Sequence, residues 1–263
     1  MTLAGARLTA IGSGKGGTGK TFIALTLAQA FADLGERVLL ADADLGLSNT
    51  SVQLGLAHAG DLPGFLAGRT TLKNAVAPVN CPSHAHFDLL AAPPGSGTLA
   101  DADHAAAERL SLLLRRASAY DRVLIDLGAG IGDTVLTLAA EADDILVVLT
   151  PDPAALTDAY AFIKLVLKRT GGRAPALVVN MASGASEARR TAEALTNSAR
   201  TFLKSSPAYL GFVPGDMRVV ECLRRQISLW QVCPKSPALS AILQITSALG
   251  GHDARVCAGG SLR

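Results

Sequence analysis

The 263-residue chain has few aromatic side chains and no long apolar run. Phe, Trp and Tyr make up 4% of the residues, with one Trp and three Tyr. A transmembrane helix needs about 20 consecutive apolar residues, and the sequence contains no such stretch. The N-terminal residues do not combine a basic segment with an apolar run, as a secretory signal would. We therefore expect a cytoplasmic protein.

Cysteine is also scarce, and neither sign of charge dominates. Cys81, Cys222, Cys233 and Cys257 lie far apart and form no CxxC pair. This spacing excludes the usual zinc and thioredoxin-type motifs, so we interpret the four residues as reduced thiols. The chain has 24 Lys and Arg against 22 Asp and Glu. Such a balance neither requires nor excludes an anionic partner.

Short apolar segments alternate with longer amphipathic ones along the chain. The predicted strands are 8–13, 38–42, 86–92, 122–127, 144–150, 176–180 and 208–213. Apolar residues at helical spacing predict helices that include 21–35, 104–117 and 153–172. Apolar strands separated by helices indicate an α/β fold with a mainly parallel sheet of about seven or eight strands flanked by helices. We predict one domain over 1–249 and a flexible tail over 250–263.

A glycine-rich loop between the first predicted strand and helix carries the strongest motif. Residues 12–21 read GSGKGGTGKT and contain the pattern G-x-x-x-x-G-K-T. Backbone N–H groups of such a loop bind phosphates, its lysine reaches the β- and γ-phosphates, and its hydroxyl can bind Mg²⁺. The predicted nucleotide contacts are Gly14, Lys15, Gly16, Gly17, Thr18, Gly19, Lys20 and Thr21.

Acidic residues end two of the predicted strands. Asp42 and Asp44 follow the second strand, and Asp126 ends the strand RVLIDL. Side chains at the carboxyl ends of strands in an open α/β sheet face the ligand crevice. Asp126 suits the acid that holds Mg²⁺ through water in phosphate-loop enzymes.

The segment KGGTGKT, with Lys15 directly after the first glycine, resembles the deviant phosphate loop of the MinD/ParA family of ATPases. In that family the additional lysine crosses a dimer interface to the partner's nucleotide. The resemblance therefore implies this role for Lys15 and an ATP-dependent homodimer. It also implies that Asp44 orients the attacking water and that Asp42 supports the loop. Gly128 and Gly130 would form a second switch near the γ-phosphate.

Two later segments resemble the adenine-facing positions of the same family. They are Asn180, at the end of ALVVN, and the residues Val213, Pro214 and Gly215 within GFVPGD. An amide side chain can donate and accept hydrogen bonds at once, which suits adenine, although a helix or turn cap is an alternative role for Asn180. The cofactors that the resemblance implies are ATP and Mg²⁺. Leu127 stands where relatives carry Thr or Ser, which removes one hydroxyl group.

Within the family, the chain resembles the flagellar-number regulators of the FlhG/FleN type. The shared segments are DADLGLSN (42–49), AGIGDTV (129–135), TPDPAALTDAYAFIKL (150–165) and VVNMASG (178–184). Such proteins are bacterial ATPases that limit the number or placement of flagella. The implied partner is a flagellar transcriptional activator or a flagellar assembly protein.

Both ends of the chain differ from some of these relatives. Only Met1–Arg7 precede the first predicted strand, so we do not expect an N-terminal motif that stimulates a GTPase partner. Residues 236–250 contain no Lys or Arg, which favours a helix that covers the sheet over one that binds a membrane. Peripheral contact with the cell membrane or the cell pole stays an alternative.

A partition ATPase of the ParA type is the rival interpretation. It would bind DNA without sequence preference through a basic surface. Small basic clusters are present at Arg109, Arg115, Arg116, Lys164, Lys168 and Arg169. Spaced basic residues on helices are usually solvated, so we expect no specific nucleic-acid partner. An iron–sulfur carrier would need ligand cysteines near the second switch or a CxxC pair, and neither is present.

Overall fold

The computed structural model describes residues 6–44, 50–56, 60–93 and 104–250. The predicted tail, apart from Gly250, and the end of the segment 42–49 lie outside the described residues. Eight strands form one sheet: Arg7–Gly12 (β1), Val38–Ala43 (β2), Ala77–Asn80 (β3), His86–Leu90 (β4), Arg122–Leu127 (β5), Asp144–Leu149 (β6), Ala176–Ala182 (β7) and Ala208–Pro214 (β8). Their order is β3-β4-β2-β5-β1-β6-β7-β8, and only the β3–β4 pair is antiparallel. The predicted α/β fold is confirmed.

Helices connect the strands and cover both faces of the sheet. Those in the described residues are Lys20–Asp33 (α1), Thr50–Gln53 (α2), Leu62–Leu66 (α3), Leu72–Ala75 (α4), His104–Arg115 (α5), Asp133–Glu141 (α6), Pro153–Arg169 (α7), Ala185–Ser198 (α8), Met217–Arg225 (α9), Leu229–Val232 (α10) and Pro237–Gly250 (α11). A π-helical turn, Ala199–Leu203, extends α8. None of the described helices is long and apolar enough to cross a bilayer.

Two apolar cores lie on opposite faces of the sheet because successive strand residues point to opposite sides. In β5, Val123 and Ile125 pack in the core beneath α5, α6, α7 and α8, whereas Leu124 packs in the core beneath α1 and α11. In α11, Leu239 and Ile242 are almost fully buried and the helix contacts β8 and α1. The core interpretation of residues 236–250 is therefore confirmed.

All seven predicted strands are present, and β3 is the one that the sequence prediction missed. β3 has four residues, APVN, and includes Pro78. Proline is disfavoured within strands except at edges, and β3 is an edge strand. Gly250, predicted as part of the tail, is instead the last residue of α11.

The strand order brings the predicted acids together. β5 lies between β2 and β1, with Asp42 in register with Asp126 and Ile11 also beside Asp126. Because these strands are parallel, their carboxyl ends meet at one edge, where the glycine-rich loop also follows β1. This edge is where an open α/β sheet binds its ligand.

Candidate functional site

The glycine-rich loop fits closely between α7 and β7. A Cβ atom on Gly14 would lie 2.1 Å from the backbone of Asp158, and one on Gly19 would lie 2.2 Å from Nδ2 of Asn180. Gly17 and Gly19 also have φ angles of +78° and +86°, which side-chain-bearing residues rarely adopt. Gly14 and Gly19 therefore leave no room for a side chain, and the φ angle of Gly17 favours glycine there as well.

Lys20 is the buried lysine of the loop. It is 8% exposed and is the first residue of α1. Burial lowers its pKa, and the carboxylates of Asp126 and Asp44 oppose that shift. A desolvated cation at a helix N-terminus that carries converging N–H groups is a site for phosphate oxygens.

Asp126 and Thr21 have the donor chemistry of a Mg²⁺ site. Burial, followed by repulsion from Asp42, raises the pKa of Asp126 to about 7, although Thr21 and Lys20 act in the opposite direction. Its Oδ1 atom is buried and receives no hydrogen bond from the described residues. An unpartnered carboxylate oxygen beside a hydroxyl fits Mg²⁺, which takes few protein ligands and completes its shell with water and phosphate oxygens.

Asp42 holds the start of the loop after β2 in place. The backbone N–H of Asp44 donates to Oδ1 of Asp42 at 3.1 Å. Thr50 donates to Oδ2 of Asp42 through its backbone N–H at 3.2 Å and through its hydroxyl at 2.5 Å. One buried carboxylate thus ties both ends of the segment 45–49, which lies outside the described residues.

The loop after β5 contacts both the glycine-rich loop and the loop after β2. Gly130, at φ +92°, donates its N–H to the carbonyl oxygen of Ser13 at 3.0 Å. A Cβ atom on Gly128 would lie 3.6 Å from Oδ1 of Asp44. The carboxylate of Asp44 therefore lies where the loops after β1, β2 and β5 meet.

Lys15 forms an ion pair with Asp152, a partner that the sequence analysis did not predict. Its Nζ atom lies 3.2 Å from Oδ1 of Asp152, which also accepts the N–H of Ala155 at 2.9 Å. The hydroxyl of Thr150 donates to Oδ2 of Asp152 at 2.5 Å. Because of Thr150, and then Ala155 and Lys15, the pKa of Asp152 falls to about 2. The available signal was the Asp-Pro pair, which is typical of a helix start.

The adenine-facing residues of the prediction line one pocket of about 280 Å³. Its walls are Gly19, Phe22, Asn180, Met181, Val213, Pro214, Gly215, Asp216, Met217, Val219, Val220 and Leu223. Met181 and Met217, which the sequence prediction did not include, are 52% and 74% exposed at this pocket. Pro214 has no N–H and Gly215 donates its N–H to Ala182, so these two residues can offer a base only carbonyl oxygens.

Asn180 has a fixed amide orientation. It is 3% exposed, and its Nδ2 donates to the carbonyl oxygen of Thr18 at 2.8 Å. A carbonyl only accepts, so the NH₂ group must face Thr18 and Oδ1 remains to accept a hydrogen bond. The exocyclic amine of adenine can donate to such an oxygen, whereas the O6 atom of guanine cannot.

This geometry gives a prediction for base selectivity. We expect the protein to bind Mg-ATP more tightly than Mg-GTP. Asn180→Ala should reduce that preference by about tenfold, because one hydrogen bond in a buried site contributes on the order of 1–2 kcal/mol. Competition titrations of both nucleotides measure the ratio. Asn197→Ala, on the exposed face of α8, is the control. An unchanged ratio in Asn180→Ala would show that the amide does not select the base.

Comparisons with known proteins show which family the chain belongs to. The model of the CobQ/CobB/MinD/ParA nucleotide binding domain matches residues 9–229. The antiactivator FleN of Pseudomonas aeruginosa is 33% identical over 88% of this chain and 82% of its own length. The flagellum site-determining protein YlxH of Helicobacter pylori is 31% identical over 92% of this chain and 81% of its own length. The structure of Pyrococcus horikoshii MinD with Mg-ADP is 25% identical, has a TM-score of 0.76, and aligns over 95% of this chain and 100% of that one.

Proposed function

Since the chain belongs to the CobQ/CobB/MinD/ParA nucleotide-binding family, we propose that it is a Mg²⁺-dependent ATPase that dimerises with ATP and is reset by hydrolysis. The contrast between its two loop lysines carries this proposal. Lys20 is buried beside the acids of the site, whereas Lys15 is 37% exposed on Asp152. One phosphate loop needs only Lys20 to bind its own nucleotide, so Lys15 is available to a neighbouring subunit.

The residues of one subunit bind the nucleotide and orient it. The N–H groups of the loop and the ammonium of Lys20 bind the phosphates, and Oδ1 of Asn180 binds the adenine amine. Thr21 and Asp126 would hold Mg²⁺, which supplies positive charge to the β- and γ-phosphate oxygens when bound. Asp44, in the loop after β2, lies beside Gly128 of the proposed second switch, where a carboxylate can accept a hydrogen bond from the attacking water and align it with the γ-phosphate.

Lys15 would act in the partner's site. To reach the partner's phosphates, its ammonium has to leave Asp152, which is 44% exposed and stays an anion at neutral pH. An exposed ion pair contributes only about 0–1 kcal/mol, so its loss is easily offset. A cation supplied in trans to the γ-phosphate makes dimerisation depend on ATP and supports the transition state.

We further propose that this switch regulates the number or placement of flagella. Two relatives support it by their names, the antiactivator FleN and the flagellum site-determining protein YlxH. The partner would be a flagellar transcriptional activator or a flagellar assembly protein. The protein would act in the cytoplasm and, as a peripheral protein, at the inner face of the cell membrane or at the cell pole. Counting flagella per cell by electron microscopy after gene deletion tests it, because an unchanged number and position would contradict it.

The partition-type alternative makes a different prediction about DNA. We expect the ATP-bound protein to shift arbitrary duplex DNA weakly or not at all. A partition ATPase would bind it tightly, and its affinity would fall steeply with salt because phosphate contacts release counterions. Gel shifts at 50 and 200 mM salt distinguish the two cases. Tight, salt-sensitive binding without sequence preference would favour the partition function.

A further inference from the structure

An apolar groove lies between α7 and the end of α8, on a surface that the ATPase mechanism does not use. It encloses about 510 Å³ and is lined by Pro153, Leu156, Thr157, Tyr160, Ala194, Leu195, Ser198 and Phe202. Two packed helices form its sides. Leu156 and Tyr160 are only partly buried, although they pack against the core. The groove therefore presents apolar surface that the described residues leave uncovered.

Phe202 is the most exposed aromatic residue of the described chain, at 73%. It lies in the π-helical turn Ala199–Leu203, where the N–H of Lys204 bonds to the carbonyl oxygen of Ala199. A π-helical turn is rare and commonly occurs at functional sites. An aromatic ring of this size is costly to expose to water unless a partner covers it.

Cations outnumber acids in the part of the chain that forms the groove. From Asp152, next to the end of the groove, to Lys204 the sequence has eight Lys and Arg against four Asp and Glu, although the whole chain is nearly neutral. Lys164 follows Tyr160 by four residues and Arg190 precedes Ala194 by four, so both continue the groove-lining faces of their helices.

Most of these cations have no acidic partner. Lys164, Arg190, Arg200 and Lys204 are exposed, and none forms an ion pair with an acid among the described residues. The charge of Lys164, Arg200 and Lys204 is thus available to an anionic partner. The charge of Arg190 also acts on Glu187, whose pKa is lowered by hydrogen bonds from Ser183 and, to a smaller extent, by Arg190. A concave apolar floor with a charged rim is the arrangement that binds one face of an amphipathic helix. DNA phosphates would not need the apolar floor, and a bilayer would not fill a groove.

We propose that this groove docks an acidic amphipathic helix of a partner protein. The partner's apolar residues, spaced by three and four, would lie between α7 and α8 against Phe202. Its Glu and Asp residues would face Lys164, Arg190, Arg200 and Lys204. Pro153, at one end of the groove, directly follows Asp152, so the docked helix would lie next to the residue that holds Lys15.

The test uses a fluorescein-labelled helical peptide with Leu at i, i+3, i+4 and i+7 and Glu elsewhere, together with a matched peptide that carries Lys in place of Glu. In fluorescence anisotropy titrations of the full chain, we expect the Glu peptide to bind and the Lys peptide not to. Binding should weaken as salt screens the rim charges. Equal binding of both peptides, or of neither, would overturn the proposal.

Variants locate the binding surface. Phe202→Ala should weaken the Glu peptide about tenfold or more, as loss of an aromatic anchor does, whereas Leu112→Ala, which trims an exposed side chain on α5, should have no effect. Arg190→Gln with Arg200→Gln should weaken binding roughly fivefold at low salt, since each exposed pair contributes at most about 1 kcal/mol. The same charge change on α9, Arg224→Gln with Arg225→Gln, is its control.

Two further probes separate the rival partners. Anionic phosphatidylserine vesicles and random duplex DNA are titrated against the same variants. We expect neither to bind in a way that depends on Phe202. If vesicles or DNA bind through Phe202 and Arg190 while the Glu peptide does not, the groove has a different partner and the proposal is wrong.

Discussion

Replacing Asp44 by alanine is expected to lower the rate of ATP hydrolysis by about a hundredfold or more, because the loss of one positioned polar group in a closed site commonly costs that much. Nucleotide affinity should change little, since binding depends on the glycine-rich loop and Lys20. The carboxylate of Asp44 lies close to Gly128, and Asp42 fixes the backbone of Asp44. Phosphate release and a nucleotide titration, measured on the same preparation, check both expectations.

Two controls show whether the effect is chemical. Asp44→Asn keeps the shape and most of the hydrogen-bonding capacity but loses the negative charge, so it should fall between the parent and the alanine variant. Glu193→Ala removes an exposed carboxylate from α8 and should hydrolyse ATP at the parent rate. Near-normal hydrolysis by Asp44→Ala would remove Asp44 from the role proposed for it.

Lys15→Ala is expected to bind ATP nearly as well as the parent and yet to stay monomeric. Within its own subunit Lys15 contacts Asp152, so its loss should leave the phosphate loop intact. Only the contact with a partner's phosphates would disappear, and hydrolysis would fall with the dimer. Light scattering with and without ATP gives the mass, and nucleotide titration gives the affinity.

Lys20→Ala is the matched comparison from the same loop. This lysine is 8% exposed and interacts with Asp126 and Asp44, so its loss should weaken phosphate binding within each subunit. The two variants should thus fail at different steps, one at association and the other at binding. A Lys15→Ala protein that dimerises with ATP and hydrolyses it normally would show that Lys15 is only a loop residue.

Much of the candidate site could be predicted because its chemistry restricts the residues. The loop after β1 needs glycine at Gly14 and Gly19, because a Cβ atom there would overlap the backbone of α7 or the amide of Asn180. The phosphates and Mg²⁺ then require a lysine and a hydroxyl directly after Gly19. Apolar strands and the Asp residues at their ends were equally visible. The sequence alone did not give the strand order, which places β5 beside β2 and so Asp42 beside Asp126.

Contacts between distant segments could not be predicted. Lys15 and Asp152 are 137 positions apart, and only the packing of α7 against the phosphate loop brings them together. Met181 has a φ angle of +58°, a conformation that its residue type does not favour. The exposed Phe202 lies in a π-helical turn that follows α8, and no spacing of apolar residues indicates such a turn.

The central claim is that ATP, and not ADP, joins two copies of this chain. Sedimentation equilibrium of the unaltered protein with Mg²⁺ and a non-hydrolysable ATP analogue, and in parallel with Mg-ADP, tests it most directly. We predict twice the monomer mass with the analogue and the monomer mass with ADP. The same mass in both states, whether monomer or dimer, would contradict an ATP-dependent dimeric switch.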